Sequence, residues 1–150
     1  MSARFLATMG LPRSGKSTIC KSVYLPKGYT IVCPDDFRLA MHGQRYYGPA
    51  EPLIWATVYA CVDALLLSGN KVILDATNLL AMRREAWIER GAEFVVVDTP
   101  KEVCIERAKA TNDDYIIPVI ERMAADMEPL YSWENAVVTA RHHYRDMRVV

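Results

Sequence analysis

The sequence predicts an α/β fold, a parallel sheet of four to five strands with helices on both faces. Three observations lead there. Short β-branched or apolar runs at residues 4–9, 30–33, 71–75 and 93–98 alternate with segments of helical spacing at 52–68, 81–90 and 100–110, the order of a doubly wound sheet with short connections. Val72-Ile73-Leu74 and Phe94-Val95-Val96-Val97 are apolar without interruption, as strands covered on both faces must be. The first run, Phe5-Leu6-Ala7-Thr8-Met9, leads straight into a glycine-bearing loop and a helix-compatible stretch, Thr18-Ile19-Cys20-Lys21-Ser22-Val23.

Each further element follows in order. A helix begins after the second run, at Pro34-Asp35-Asp36-Phe37-Arg38. Pro49 and Pro52 suit a loop and a first helical turn, while Gly69 and Gly91 stand where C-terminal caps belong. Residues 116–127 read as one more helix, entered through Pro118. Residues 141–150, basic and without periodicity, read as a solvated, flexible tail. At 150 residues the chain fits a single domain, 1–150, able to bury a core.

Composition narrows the function classes. With 18 basic and 18 acidic residues the net charge is zero, so no global field draws in nucleic acid and any polyanion is held by a local cluster. No segment reads as a signal peptide or a bilayer span, so no membrane partner is expected. Cys20, Cys33, Cys61 and Cys104 lie far apart, the pattern of reduced thiols in the cytoplasm and not of a disulfide frame or zinc site.

Gly10-Leu11-Pro12-Arg13-Ser14-Gly15-Lys16-Ser17 fits G-x-x-x-x-G-K-[ST], the loop that binds nucleoside triphosphates. Gly10 and Gly15 are expected to adopt backbone angles closed to other residues, so that several N–H groups converge on a polyphosphate. The helix starting near Lys16 turns its positive end to the same anion. Lys16 reaches the β/γ oxygens, and Ser17 holds Mg²⁺ through its hydroxyl.

In such sheets ligands gather beyond the carboxyl ends of the strands. There the sequence places Asp35, Asp36 and Arg38, and then Asp75-Ala76-Thr77-Asn78. Phosphoryl transfer to an alcohol needs a carboxylate to accept the hydroxyl proton and a cation to hold the acceptor. Asp35 and Arg38 share one helix face and fit both needs. N-terminal capping by Asp35 or Asp36, with Arg38 solvated, explains the same residues equally well. Asp75 ends an apolar run, where a magnesium-organising acid belongs, and strand-end hydrogen bonding is its alternative. Thr77 and Asn78 are placed to touch the acceptor or to fix the loop. Arg83 and Arg84 open the next helix as candidates to bind the acceptor, and one of the two is expected at the surface.

Gly10-Leu11-Pro12 with Ser14-Gly15-Lys16-Ser17-Thr18, then Asp35-Asp36-Phe37-Arg38, Asp75-Ala76-Thr77-Asn78-Leu79 and Arg83-Arg84 with Trp87, stand in the order and spacing of bacteriophage polynucleotide kinases. Ile117-Pro118, Glu121-Arg122-Met123 and Glu128-Pro129 resemble that family's lid region and the helix after it. The resemblance runs over about residues 4–130 and is to the isolated 5′-kinase domain. It implies a three-layer P-loop kinase fold with a helical lid at about 107–122. It also implies roles: Thr18 near the α-phosphate, Asp35 as general base toward a 5′-hydroxyl, and Arg38 on the acceptor's first phosphate. Asp75, Thr77 and Asn78 would line the acceptor side, and Arg107 would be the first lid arginine, against the nucleotide. One departure stands out. The family places a further lid arginine about four residues later, where this chain has Thr111, followed by Asn112-Asp113-Asp114. Lys109 or Arg122 replaces it, or the lid is rearranged, or the enzyme is slow or takes another acceptor.

The leading expectation is an ATP- and Mg²⁺-dependent kinase of a bacterial or phage-infected cytoplasm that transfers the γ-phosphoryl group to a hydroxyl of a nucleic acid, foremost the 5′-OH end of DNA or RNA. A nucleic-acid end or a nucleotide is the acceptor, with self-association left open. Two alternatives use the same motifs: a phage DNA kinase acting on a base of the 5-hydroxymethyluracil type, and a small-molecule P-loop kinase. A nucleotide-binding module without catalysis is the third. Trp55, Tyr59, Val62 and Leu66 form a helical stripe that reads as core. His42, Arg45, Tyr46 and Tyr47 read equally as the flank of an acceptor groove and as an ordinary loop.

Overall fold

Strand-forming runs and helical segments take the expected order in a computed structural model that describes residues 3–145. The strands are β1 (Phe5–Met9), β2 (Tyr29–Val32), β3 (Lys71–Leu74), β4 (Glu93–Asp98) and β5 (Val138–His143). They form one sheet in the order β2-β3-β1-β4-β5, and every neighbouring pair is parallel. The helices are α1 (Lys16–Ile19), α2 (Pro34–His42), α3 (Glu51–Leu67), α4 (Ala81–Ile88), α5 (Lys101–Ala110) and α6 (Ile117–Asp126). A π turn over Cys20–Tyr24 and a 3₁₀ turn over Leu25–Lys27 prolong α1.

The two-residue alternation of the strands divides the core between the two faces of the sheet. Leu6, Ile73 and Val95 pack with Ile19, Cys20 and Tyr24 of the α1 segment. Phe5, Ala7, Val72, Leu74, Phe94 and Val96 face the larger cluster on the other side. There α3 contributes Ile54, Val58 and Val62, all fully buried. Each such side chain contributes about 1.5–3 kcal/mol on leaving water. The stripe of α3 is thus core at Val62, while Trp55 and Tyr59 are only half-buried.

Two expectations are corrected. Residues 141–143 belong to β5 and not to a frayed tail; residues 146–150 lie outside those described. As an edge strand, β5 is paired on one side only and has a register shift opposite Phe94/Val95, so its sequence alternates in burial and lacks the continuous apolar signature of the central strands. The second correction concerns hydropathy. Gly48–Leu67 is 20 residues long and holds an 18-residue window of mean hydropathy 1.5, long and apolar enough by length and composition to cross a bilayer, although here its buried stripe lies on the sheet.

Candidate active site

The carboxyl ends of β1, β2 and β3 open into one cleft of ≈ 1440 Å³. Between β1 and α1 the chain turns tightly: Gly15 has φ 102 and Arg13 has φ 67. Gly15 is therefore needed for its backbone angle, as expected. Gly10 is not; its φ is ordinary, and glycine is required there for space, since a Cβ would lie 2.9 Å from the Val97 carbonyl oxygen. Behind the loop, Thr99 donates its hydroxyl to the Ser14 carbonyl at 2.7 Å. Gly10 N–H donates to the Thr77 carbonyl at 3.0 Å.

Pro12, Arg13, Gly15, Lys16, Ser17 and Thr18 line the cleft. Gly10, Leu11 and Ser14, also expected to touch the cofactor, are not among its lining residues and shape the loop from behind; Leu11 and Ser14 are buried. Lys16 is buried, and its ammonium donates to the Leu11 carbonyl at 2.7 Å. Burial pushes it below the ordinary lysine value, against the pull of Asp75 and, more weakly, Asp35. Ser17 donates to Asp75 Oδ2 at 2.6 Å, and Asp75 is buried at the end of β3. Cys33, which also lines the cleft, has its thiol pushed up to about 12 by burial and Asp75, so it stays protonated and unreactive.

On the opposite wall Cys33 is the residue preceding α2 and makes no side-chain cap; Asp35 and Asp36 sit in the first turn. The Asp35 side chain is 73% exposed and accepts from Arg38 Nη1 at 2.6 Å. Arg38 also donates Nε and Nη2 to the two carboxylate oxygens of Glu51, at 2.9 and 2.7 Å. Burial opposes its charge, but these hydrogen bonds outweigh that and raise the guanidinium above its ordinary value. Glu51 was not legible beforehand. It stands in a proline-flanked helix start, and only the packing of α3 beside α2 brings it to Arg38.

Asp75, Thr77, Asn78, Arg83 and Arg107 also line the cleft. Asn78, at φ 46, turns its amide away to donate to the Thr8 carbonyl at 2.7 Å. Of the two roles open to it, its side chain takes the loop-fixing one. Thr8 completes this stitch, donating to the Ala76 carbonyl at 2.7 Å and accepting from Ala76 N–H at 3.0 Å. Its sequence signal was a hydroxyl inside an otherwise apolar strand.

Arg84 is a correction. It is fully buried, it forks onto Glu134 at 2.6 and 3.1 Å, and it donates to the carbonyls of Asn78, Glu128 and Pro129. Every donor is used inside the protein, so it holds loops together and does not meet an acceptor. Arg83, by contrast, lies over the Trp55 ring at 4.4 Å.

At the lid, Arg13 donates to the Thr111 hydroxyl and, at 3.0 Å, to the Arg107 carbonyl, while Arg107 donates to the Arg13 carbonyl at 3.1 Å. The position without the family's arginine therefore carries a guanidinium from the phosphate loop. Arg122 lines the cleft, whereas Lys109 does not. Arg45 forks onto Asp113 at 2.7 and 3.1 Å, joining the segment after α2 to the lid.

A family model described as an AAA domain matches residues 5–130. The chain belongs to this family. Among solved structures, a chain of the Pnkp1/Rnl/Hen1 complex is 34% identical over 69% of this chain and 38% of its own length, with TM-score 0.59. A chain of the Pnkp1/Rnl/Hen1 RNA repair complex is 24% identical over 83% of this chain and 46% of its own, with TM-score 0.63. This AAA domain therefore spans less than half of either. A sugar kinase from Janibacter sp. HTCC2649 shares the fold, with 20% identity, TM-score 0.70, and coverage of 96% and 87%. No protein of curated function matches by sequence. The chain is a P-loop kinase domain similar to polynucleotide kinases, with the parallel five-stranded sheet of P-loop kinases. Its phosphate loop and family imply ATP binding, and its likeness to kinases supports phosphotransferase chemistry.

Proposed function

We propose that this chain transfers the γ-phosphoryl group of ATP to the 5′-hydroxyl end of a DNA or RNA strand. The reading is carried by one continuous cleft that has the phosphate loop on one wall and the Asp35–Arg38 pair on another. The cleft collects seven cationic side chains, Arg13, Lys16, Arg38, Arg45, Arg83, Arg107 and Arg122, against the carboxylates of Asp35, Glu51, Asp75 and Asp126. In a chain of zero net charge, that local excess supports a polyanion bound at short range, with a shallow dependence of affinity on salt.

The donor set fits magnesium and a triphosphate. Ser17 and Asp75 present adjacent hard oxygens, as Mg²⁺ prefers. Lys16 and Arg107 would hold the phosphates and the nucleotide. Magnesium-ATP, when bound, supplies an activated phosphoryl group. The chain's residues do the rest. Asp35 accepts the proton of the attacking hydroxyl as its oxygen bonds to the γ-phosphorus and the β–γ bridging oxygen departs. Arg38, fixed by Glu51, holds the Asp35 carboxylate in place. Four unpaired cysteines fit a cytoplasmic setting.

One observation favours a second reading, a small uncharged acceptor: all three of Arg38's donor nitrogens are taken by carboxylates. Labelled ATP offered to a 5′-hydroxyl oligonucleotide, a duplex with hydroxymethylated bases, a nucleoside 3′-phosphate and simple sugars separates these readings. Label is expected on the oligonucleotide and the nucleoside 3′-phosphate, and Lys16→Ala is expected to reduce it to background. Label on sugars alone, or label that survives Lys16→Ala, defeats the proposal.

A further inference from the structure

The acceptor wall carries two guanidinium groups against the same indole, and they differ in what their donors do. Arg38 lies 5.9 Å from the Trp55 ring centre with Nε, Nη1 and Nη2 all bonded to Asp35 and Glu51. Arg83 lies 4.4 Å from the same ring, and its side chain makes no hydrogen bond or ion pair to any described residue. Stacking orders a guanidinium through its face and leaves the N–H edge unused. Arg83 is thus held in place, half-buried and lining the cleft, against the same ring as Arg38.

We infer that Arg83, ordered by Trp55, is the fork that binds the acceptor's first phosphate, and that Arg38 instead positions Asp35. The inference rests on the kinase reading above and names the group that confers acceptor specificity. Geometry argues for a phosphate. A planar edge with two parallel N–H groups matches two phosphate oxygens, and pre-ordering lowers the entropy lost on binding. For Arg38 to take the same anion it must first release a bidentate carboxylate, leaving Glu51 half-buried without its partner. A nucleoside 3′-phosphate whose 5′-hydroxyl meets Asp35 is the smallest ligand that satisfies both groups.

Calorimetric titration of the whole chain with a nucleoside 3′-monophosphate, the plain nucleoside and a sugar acid tests this. Wild type is expected to prefer the 3′-monophosphate to the nucleoside by about 10- to 100-fold, the worth of charge-assisted hydrogen bonds. Arg83→Ala should abolish that preference with ATP affinity unchanged, which also verifies folding. Arg83→Lys should keep part of it, since charge remains and the fork is lost. Trp55→Leu should weaken it several-fold by releasing the guanidinium. The inference is overturned if wild type shows no phosphate preference, if the sugar acid binds tighter through Arg83, or if Arg83→Ala keeps the preference. Phosphoryl transfer is read separately. Phosphate preference without any transfer to a 5′-hydroxyl sinks the kinase reading and leaves the fork standing; transfer with preference intact in Arg83→Ala does the reverse.

Discussion

Arg83 and Arg84 are neighbours on one helix turn and have opposite fates. Arg84 is buried with every donor engaged, tying α4 to the Glu128–Pro129 carbonyls and to Glu134. Arg83 stays at the cleft, ordered by a ring and unbonded at its edge. The same contrast separates Glu134, a carboxylate that accepts only from inside the fold, from Asp35, which is paired but faces solvent. Arg84 and Glu134 have their partners supplied by the chain, whereas Asp35 and Arg83 keep an open side on the cleft. That distinction can be broken by substitution.

The largest effect is expected at Asp35. Asp35→Asn keeps the shape and an oxygen for Arg38 but removes the proton acceptor, so transfer should fall by about 100- to 10,000-fold. Thermal midpoint and ATP affinity should stay at wild-type values. Rates on a 5′-hydroxyl acceptor, measured beside a denaturation curve, check this; a variant that transfers normally removes Asp35 from the mechanism.

On the structural side, Arg84→Met strands the Glu134 carboxylate in the interior. Breaking one side of a buried pair costs about 3–5 kcal/mol, read as a lower denaturant midpoint. Adding Glu134→Leu should recover much of the loss, because the unpaired charge goes with it. Were the single variant as stable as wild type, Arg84 would have no claim to be structural.

These fates were unequally legible in the sequence. The sheet was readable because buried parallel strands are continuously apolar, as at Val72–Leu74 and Phe94–Val97. The phosphate loop was readable because its physics fixes residue types at fixed spacing, although Gly10 serves by its lack of a Cβ and not by its backbone angle. Local signals placed Asp35 three residues before Arg38, and the structure keeps that pair. What sequence could not give was long-range pairing. Glu51 on Arg38, Glu134 on Arg84 and Arg13 on Thr111 join residues 13, 50 and 98 positions apart. Nothing local distinguishes a solvated charge from a paired one, so Arg83 and Arg84 looked alike. The edge strand β5 escaped for a related reason, since its burial comes from one neighbour only.

The smallest expected effect separates the two carboxylates by pH. Burial alone works to raise the Glu134 carboxyl, but hydrogen bonds from Arg84 and from Tyr131 N–H reverse this and hold it below its ordinary value of 4.5. A carboxyl whose pKa is depressed on folding binds fewer protons in the native state than in the unfolded one. Its contribution to stability is complete above the unfolded value and is lost as pH falls through the folded one. Thermal midpoints should therefore drop below about pH 4.5 in the wild type. In Arg84→Met/Glu134→Leu that part of the acid limb should be shallower, while Asp35→Asn should leave the limb attributable to Glu134 intact. Identical acid limbs in wild type and the double variant would mean that the Arg84–Glu134 pair gives the fold no proton-linked stability, and the contrast with Asp35 would then rest on burial alone.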